Sequence, residues 1–266
     1  MSNLAMAGIV LLRPCRNLGS ILGTRIQLCG RVVATLAGRR IDGELPGRQG
    51  RLLFAYLAAN RLRAASRSEL IDAVWPDRLP GAPESALSAL VSKLRRVVGQ
   101  DQLEGRGELR LALADDAWID AEAAGAALHR AETAQARLEW PEVWVAARVA
   151  QHIAVRPFVA GENAPWIEDR RRQLEGTYLR ALELAAHASL RIGGGELDTA
   201  ERSARSLVQQ APFRESGYRY LMEVLAARDN HADALRVYDQ LRTLLRDELG
   251  AAPSPATQNL HRTLLH

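Results

Sequence analysis

Aromatic residues make up only 5% of this 266-residue chain, cysteine occurs twice and lysine once. With few aromatics and much alanine and leucine, closely packed helices are favoured over a large sheet. Cys15 and Cys29 stand outside any CxxC spacing, which excludes a disulfide framework and a cysteine zinc site and makes reduced, cytoplasmic thiols the expectation. Long apolar runs are missing too. The stretch from Ala5 to Leu12 is far shorter than the ~20 residues of a membrane helix. No cation precedes it and Arg13 and Arg16 follow, unlike a secretory signal. Residues 1–23 are therefore read as a leader of uncertain order.

Catalytic constellations are also lacking. His129, His152, His187, His231, His261 and His266 are scattered without an HExxH pair, and no serine lies in GxSxG. Asp115, Asp116, Asp120 and Glu122 cluster, but a solvated linker explains them better than acid–base chemistry. Gly193 to Gly195 lack the strand and lysine of a phosphate loop and read as a helix–helix turn. No enzyme, metal or cofactor is expected.

What is present is unevenly charged. Residues 24–115 carry 15 Lys or Arg against 10 Asp or Glu, whereas 116–266 carry 18 against 21. The basic balance, which suits a polyanion partner, lies in the first part. There the stretch PESALSALVSKLRRVVG (83–99) forms a helix with two faces. Leu87, Leu90, Val91, Leu94, Val97 and Val98 fall on one apolar stripe. Opposite them lie Ser85, Ser88, Ala89, Ser92, Lys93, Arg95 and Arg96, a cationic face of little bulk that suits a DNA major groove or, more blandly, solvent.

Around this helix, Ile26/Leu28 and Val32 to Leu36 read as short strands, and Leu52, Leu53, Tyr56 and Leu57 as a first helix. Ser66 and Glu69 make a capping box in which each side chain can serve the other's backbone N–H. The second helix then turns Leu70, Ile71, Val74 and Trp75 inward and stops at Pro76. Gly105 and Gly107 flank Arg106 at a hairpin tip, and Leu109, Leu111 and Leu113 alternate along the returning strand. Strands, three helices and a terminal hairpin make a winged helix-turn-helix over 24–115, expected to hold DNA binding by itself.

Beyond Trp118 the pattern is helical. Leu174, Tyr178, Ala181, Leu182, Ala185 and Ser189 mark one stripe of a long helix over 165–192. Ala200, Ala204, Leu207 and Ala211 are echoed 34 residues later by Ala234, Tyr238, Leu241 and Leu245, the tetratricopeptide period. Such arrays offer a concave surface to peptides or proteins. Tyr178 and Tyr238 are expected inside, with one of Tyr218 and Tyr220 partly exposed. The run Arg170 to Arg172 is read as a solvated face paired locally with Glu168, Asp169 and Glu175. The fold class is thus mainly α: an α+β winged helix followed by an all-α, tetratricopeptide-like domain over 118–266.

Four segments, ASRSELIDAVWP (65–76), ALSALVSKLRRVVG (86–99), PWIEDRRRQLEGTYLRALE (165–183) and the stretch from Pro212 to Arg262, resemble the actinobacterial antibiotic regulatory protein family. Its members join a winged helix to a bacterial transcriptional activation domain. The resemblance implies a cytoplasmic, sequence-specific activator bound to double-stranded promoter DNA. Its helical domain would recruit RNA polymerase or mediate self-contact, as in a homodimer on repeated sites. By position, Lys93 and Ser88 correspond to base-facing residues; Trp75, Ser85, Ser92 and Arg95 correspond to backbone-facing ones; Arg106 corresponds to a wing residue in the minor groove. Arg96 belongs to the same cationic face. Two departures stand out: Leu90 replaces a polar phosphate contact, and the wing GRGELRL lacks a Gly-Tyr pair. They keep open a second reading, a protein-binding adaptor with a degenerate winged helix.

Overall fold

A computed structural model describes residues 23–265. The expected leader, apart from Gly23, and Cys15 with it lie outside the described residues. Strands β1 (Arg25–Gln27), β2 (Val33–Leu36) and β3 (Arg39–Arg40) form an antiparallel meander. Its β2–β3 turn needs positive φ at both central positions, Ala37 (φ 47°) and Gly38 (φ 81°), matching the right-handed twist of the strands. Only the second of these is a glycine.

Three helices follow: α1 (Gly47–Ala59), α2 (Arg67–Val74) and α3 (Pro83–Val98). Proline at the first position of α3 sacrifices no hydrogen bond, and Gly99 ends the helix at φ 106°. Leu87, Leu90, Val91, Leu94 and Val98 are buried as the spacing requires, while Val97 is half-buried. Strand β4 (Ala65–Ser66) pairs with β6 (Glu108–Leu111), which pairs with β5 (Leu103–Glu104), so the hairpin carrying Arg106 packs beside the start of α2. Leu113 is half-buried beyond the strand's end.

Ser66 caps α2, its Oγ accepting from the Glu69 N–H at 3.3 Å. The Glu69 carboxylate departs from the simple capping box, because it is turned mainly to Arg63 and to the Tyr56 hydroxyl. Pairing with Arg63 lowers its pKa from 4.5 to about 2 against the opposing effect of desolvation, with Tyr56 and the Ser66 backbone also lowering it. A depressed carboxylate stabilises the fold above its unfolded pKa and loses that contribution as pH falls through the folded value. Thermal melts of Glu69→Gln should therefore lack part of the wild-type decline between pH 4.5 and about 2; parallel melting curves across that window would contradict the assignment.

Seven further helices follow among the described residues: α4 (Asp120–Ala136), α5 (Trp140–Ala154), α6 (Pro165–Ile192), α7 (Leu197–Gln210), α8 (Glu215–Ala226), α9 (His231–Leu249) and α10 (Pro255–Leu264). From α4 to α9 each packs on the next. Ala131, Ala146, Ala147, Ala185 and Ala188 bring α4, α5 and α6 close together. Gly217 does the same for α7 and α8, since a Cβ there would come within 3.1 Å of Leu207. The echoed residues on α7 and α9 are buried, and Ala211, just past the end of α7, is half-buried. Tyr178, Tyr218 and Tyr238 are buried and Tyr220 is half-buried, as adjacent-but-one positions on α8 require.

The two parts share one core. Strand β7 (Trp118–Ile119) pairs in parallel with β1, completing a four-stranded sheet in the order β3-β2-β1-β7. Asp120, expected in a solvated linker, is instead fully buried. Its carboxylate accepts from the Leu28 and Cys29 N–H groups at 2.8 and 3.0 Å, with Arg156 at 3.6 Å. Burial raises the Asp120 pKa against the pull of those amides. Burial, reinforced by Asp120, pushes the Cys29 thiol up to about 12, so it remains protonated and unreactive. Trp166 of α6 stands edge-on to Tyr56 and Phe158 and donates its indole N–H to the Ala73 carbonyl of α2 at 3.1 Å.

The run Arg170 to Arg172 is only partly the solvated face expected. Arg172 pairs with Asp169 and Arg171 with Glu168. Arg170, however, reaches Asn60 at 3.1 Å, and Arg171 donates to the carbonyls of Phe158 and Glu162 at 3.1 and 2.8 Å. Backbone carbonyls that no ladder serves draw these guanidinium groups inward.

Candidate nucleic-acid interface

The outer face of α3 is open. Ser85, Ser88, Ala89, Ser92, Lys93 and Arg96 are exposed, and Arg106 is exposed at the hairpin tip. Trp75, expected inward, is half-buried and lines a cleft with Gln49, Ala86, Leu90 and Lys93, between the start of α1 and the side of α3. Small side chains and two adjacent cations therefore stand clear of the core along about three turns of one helix.

Three guanidinium groups fix this helix and its wing. Arg39 of β3 donates to the Val97 carbonyl in the last turn of α3, which has no intrahelical partner, and also pairs with Glu44 at 2.8 Å. Arg95, read by position as backbone-facing, is half-buried and turned into the wing, donating to Leu103 O at 3.2 Å and to Gly105 O. Arg67, at the first position of α2, lies on the Glu84 carboxylate at 2.6 Å, the Glu84 carbonyl at 3.0 Å, the Ser88 hydroxyl at 2.8 Å and the Arg106 carbonyl at 3.4 Å. One side chain thus joins α2, α3 and the wing.

Neither Arg39 nor Arg67 was among the site residues expected from sequence. Arg67 left one trace there: a cation in a helix's first turn opposes the macrodipole and needs a local partner. The partner, Glu84, lies across the turn between α2 and α3. The serine hydroxyls point back along α3, Ser88 donating to Glu84 O at 2.8 Å and Ser92 to Ser88 O at 2.9 Å. No group of three or more His, Cys, Asp or Glu able to hold a metal occurs among the described residues, nor does a helix long and apolar enough to cross a membrane.

Residues 119–265 match the family model described as bacterial transcriptional activator domain. The chain belongs to that family, as an actinobacterial antibiotic regulatory protein. Regulatory protein AfsR of Streptomyces griseus is 30% identical over 91% of this chain and 24% of its own length. Transcriptional regulatory protein EmbR of Mycobacterium bovis is 25% identical over 90% of this chain and 62% of its own. The chain therefore spans about a quarter of the AfsR protein and less than two thirds of EmbR. A solved structure of Mycobacterium tuberculosis EmbR in complex with a low-affinity phosphopeptide superposes with a TM-score of 0.80 at 22% identity, covering 91% of this chain and 65% of that one. That likeness concerns the fold, an N-terminal small-sheet region joined to a helical domain, which is the mainly α class the sequence implied. By name, EmbR is a transcriptional regulatory protein and AfsR a regulatory protein.

Proposed function

We propose that this chain is a sequence-specific DNA-binding activator of transcription. Residues 24–115 carry the DNA contacts, and the helical domain over 118–266 engages RNA polymerase. The carrying observation is the open, cationic, small-residue face of α3 with the wing pinned beside it by Arg67 and Arg95. A helix presented in this way can enter a major groove about 12 Å wide, with Lys93 and Ser88 toward base edges. Trp75, Ser85, Ser92 and Arg96 then lie toward the phosphates, and Arg106 toward the adjacent minor groove. Arg95 acts through the wing, setting the height of Arg106 over the DNA, rather than as a free phosphate ligand. A second copy on a repeated site, joined to the first by self-contact of the helical domain, would add avidity. The protein works in the cytoplasm and is not an enzyme.

The test is a gel shift with the full chain on the DNA upstream of its own gene, followed by reconstituted transcription from that DNA. A shifted, competitor-resistant band and raised transcript yield are expected. Absence of any band at low salt would overturn the reading and favour the adaptor with a degenerate winged helix.

A further inference from the structure

We infer that Arg67 holds Ser88 as a hydrogen-bond acceptor toward DNA, so that this position of α3 selects a base whose exocyclic amine lies in the major groove, adenine or cytosine. The inference rests on the reading of α3 as the helix in the major groove. A serine hydroxyl has one hydrogen to donate and two lone pairs to accept with. The Ser88 hydrogen goes to the Glu84 carbonyl at 2.8 Å. A guanidinium can only donate, so Arg67 Nη2 at 2.8 Å occupies one of the lone pairs. What Ser88 presents outward is the other lone pair.

In the major groove, adenine N6 and cytosine N4 donate, while adenine N7, guanine O6 and N7 and thymine O4 accept, so only adenine and cytosine offer a donor there. A keto base opposite Ser88 would set oxygen against oxygen unless the hydroxyl left Glu84. Arg67 bars the hydrogen from its own side of Oγ, and turning it outward would aim an Oγ lone pair at the Glu84 carbonyl oxygen. The guanidinium itself is held in place. Its Nε is on the Glu84 carboxylate at 2.6 Å, its Nη2 also on the Glu84 carbonyl at 3.0 Å, and its Nη1 on the Arg106 carbonyl at 3.4 Å. Ser92 provides the contrast: its hydroxyl donates to Ser88 O at 2.9 Å, and no guanidinium is hydrogen-bonded to its Oγ among the described residues. Arg67 is thus a positioning residue that determines specificity through Ser88.

The experiment is selection from random-sequence duplex DNA with the full chain as wild type, Ser88→Ala and Arg67→Lys. Wild type should favour an amino base on one strand at one position by roughly three- to tenfold, the worth of one net hydrogen bond. Ser88→Ala should flatten that position alone. Arg67→Lys, which keeps the charge but loses the planar fork, should relax it by removing the fixed donor that holds Ser88 Oγ against Glu84, so that the side chain can turn its hydroxyl toward the DNA. In the selected duplex, replacing that base with an analogue lacking its exocyclic amine should weaken wild type by a similar factor and leave Ser88→Ala unchanged. A selected sequence that Ser88→Ala leaves intact at every position, or a keto base at the position it alters, would overturn the inference alone. Failure of wild type to enrich any sequence would overturn the DNA-binding reading and the inference with it.

Discussion

Replacing Asp120 with alanine should lower the stability of the whole chain by about 3–5 kcal/mol, the cost of removing one partner from a buried charged pair. The carboxylate has no exposure to solvent and holds the Leu28 and Cys29 amides at 2.8 and 3.0 Å beside Arg156. Alanine would leave two buried donors without an acceptor, each costing about 1–3 kcal/mol. The site's position at the start of α4 adds a favourable macrodipole interaction with the anion. Asp120→Asn should cost less, since one oxygen remains, yet its amide would confront the second N–H with a donor. Urea unfolding of both variants checks this, and a loss under about 1 kcal/mol for alanine would show that the carboxylate does not hold β1 to α4.

Cutting the chain after Asp115 should leave residues 24–115 largely unfolded. The sequence pattern points to an independent winged helix, but the sheet is completed by Trp118 and Ile119, and its cap is Asp120. The core that contains Ile26, Leu28, Phe54 and Leu87 continues through Phe158, Ile167, Leu174 and Leu182 of the helical part. Removing the helical part exposes one side of that core, deletes the Trp166 bond to Ala73 and strips Glu122 from Arg61 and Glu162 from Arg48. The combined loss is comparable to the ~5–15 kcal/mol by which a whole domain is stable. Amide resonances of the fragment should collapse to a narrow, exchange-broadened range. A dispersed spectrum matching the same residues in the full chain would contradict the shared core.

Periodicity revealed most of the architecture because helices and the hairpin are local. The spacing of Leu87 to Val98, the turn at Gly193 and the 34-residue echo between α7 and α9 each depend on residues close in sequence or regularly repeated. Contacts across long separations were illegible. Asp120 reads as one carboxylate in an acidic linker until Leu28 and Cys29, more than 90 residues earlier, are brought to it. Arg170 reads as part of a charged run until Asn60 stands beside it. At the candidate interface, the exposed face of α3 follows from helical geometry, whereas the orientation of Arg95 does not. Leu103 and Gly105 draw it into the wing because the return of the hairpin leaves their carbonyls beside it.

The most direct measurement of the central claim is the salt dependence of Kd for the full chain on its selected operator and on random DNA, with Lys93→Ala and Arg96→Ala alongside wild type. Wild-type affinity should fall with a log–log slope of about −0.9 per phosphate neutralised. Lys93→Ala should cost about 1–3 kcal/mol at the operator and relax preference at one base. Arg96→Ala should weaken operator and random DNA alike and reduce the steepness of the slope by about 1. Affinity indifferent to salt, or equal to wild type in both variants, would contradict the claim that this face of α3 reads DNA.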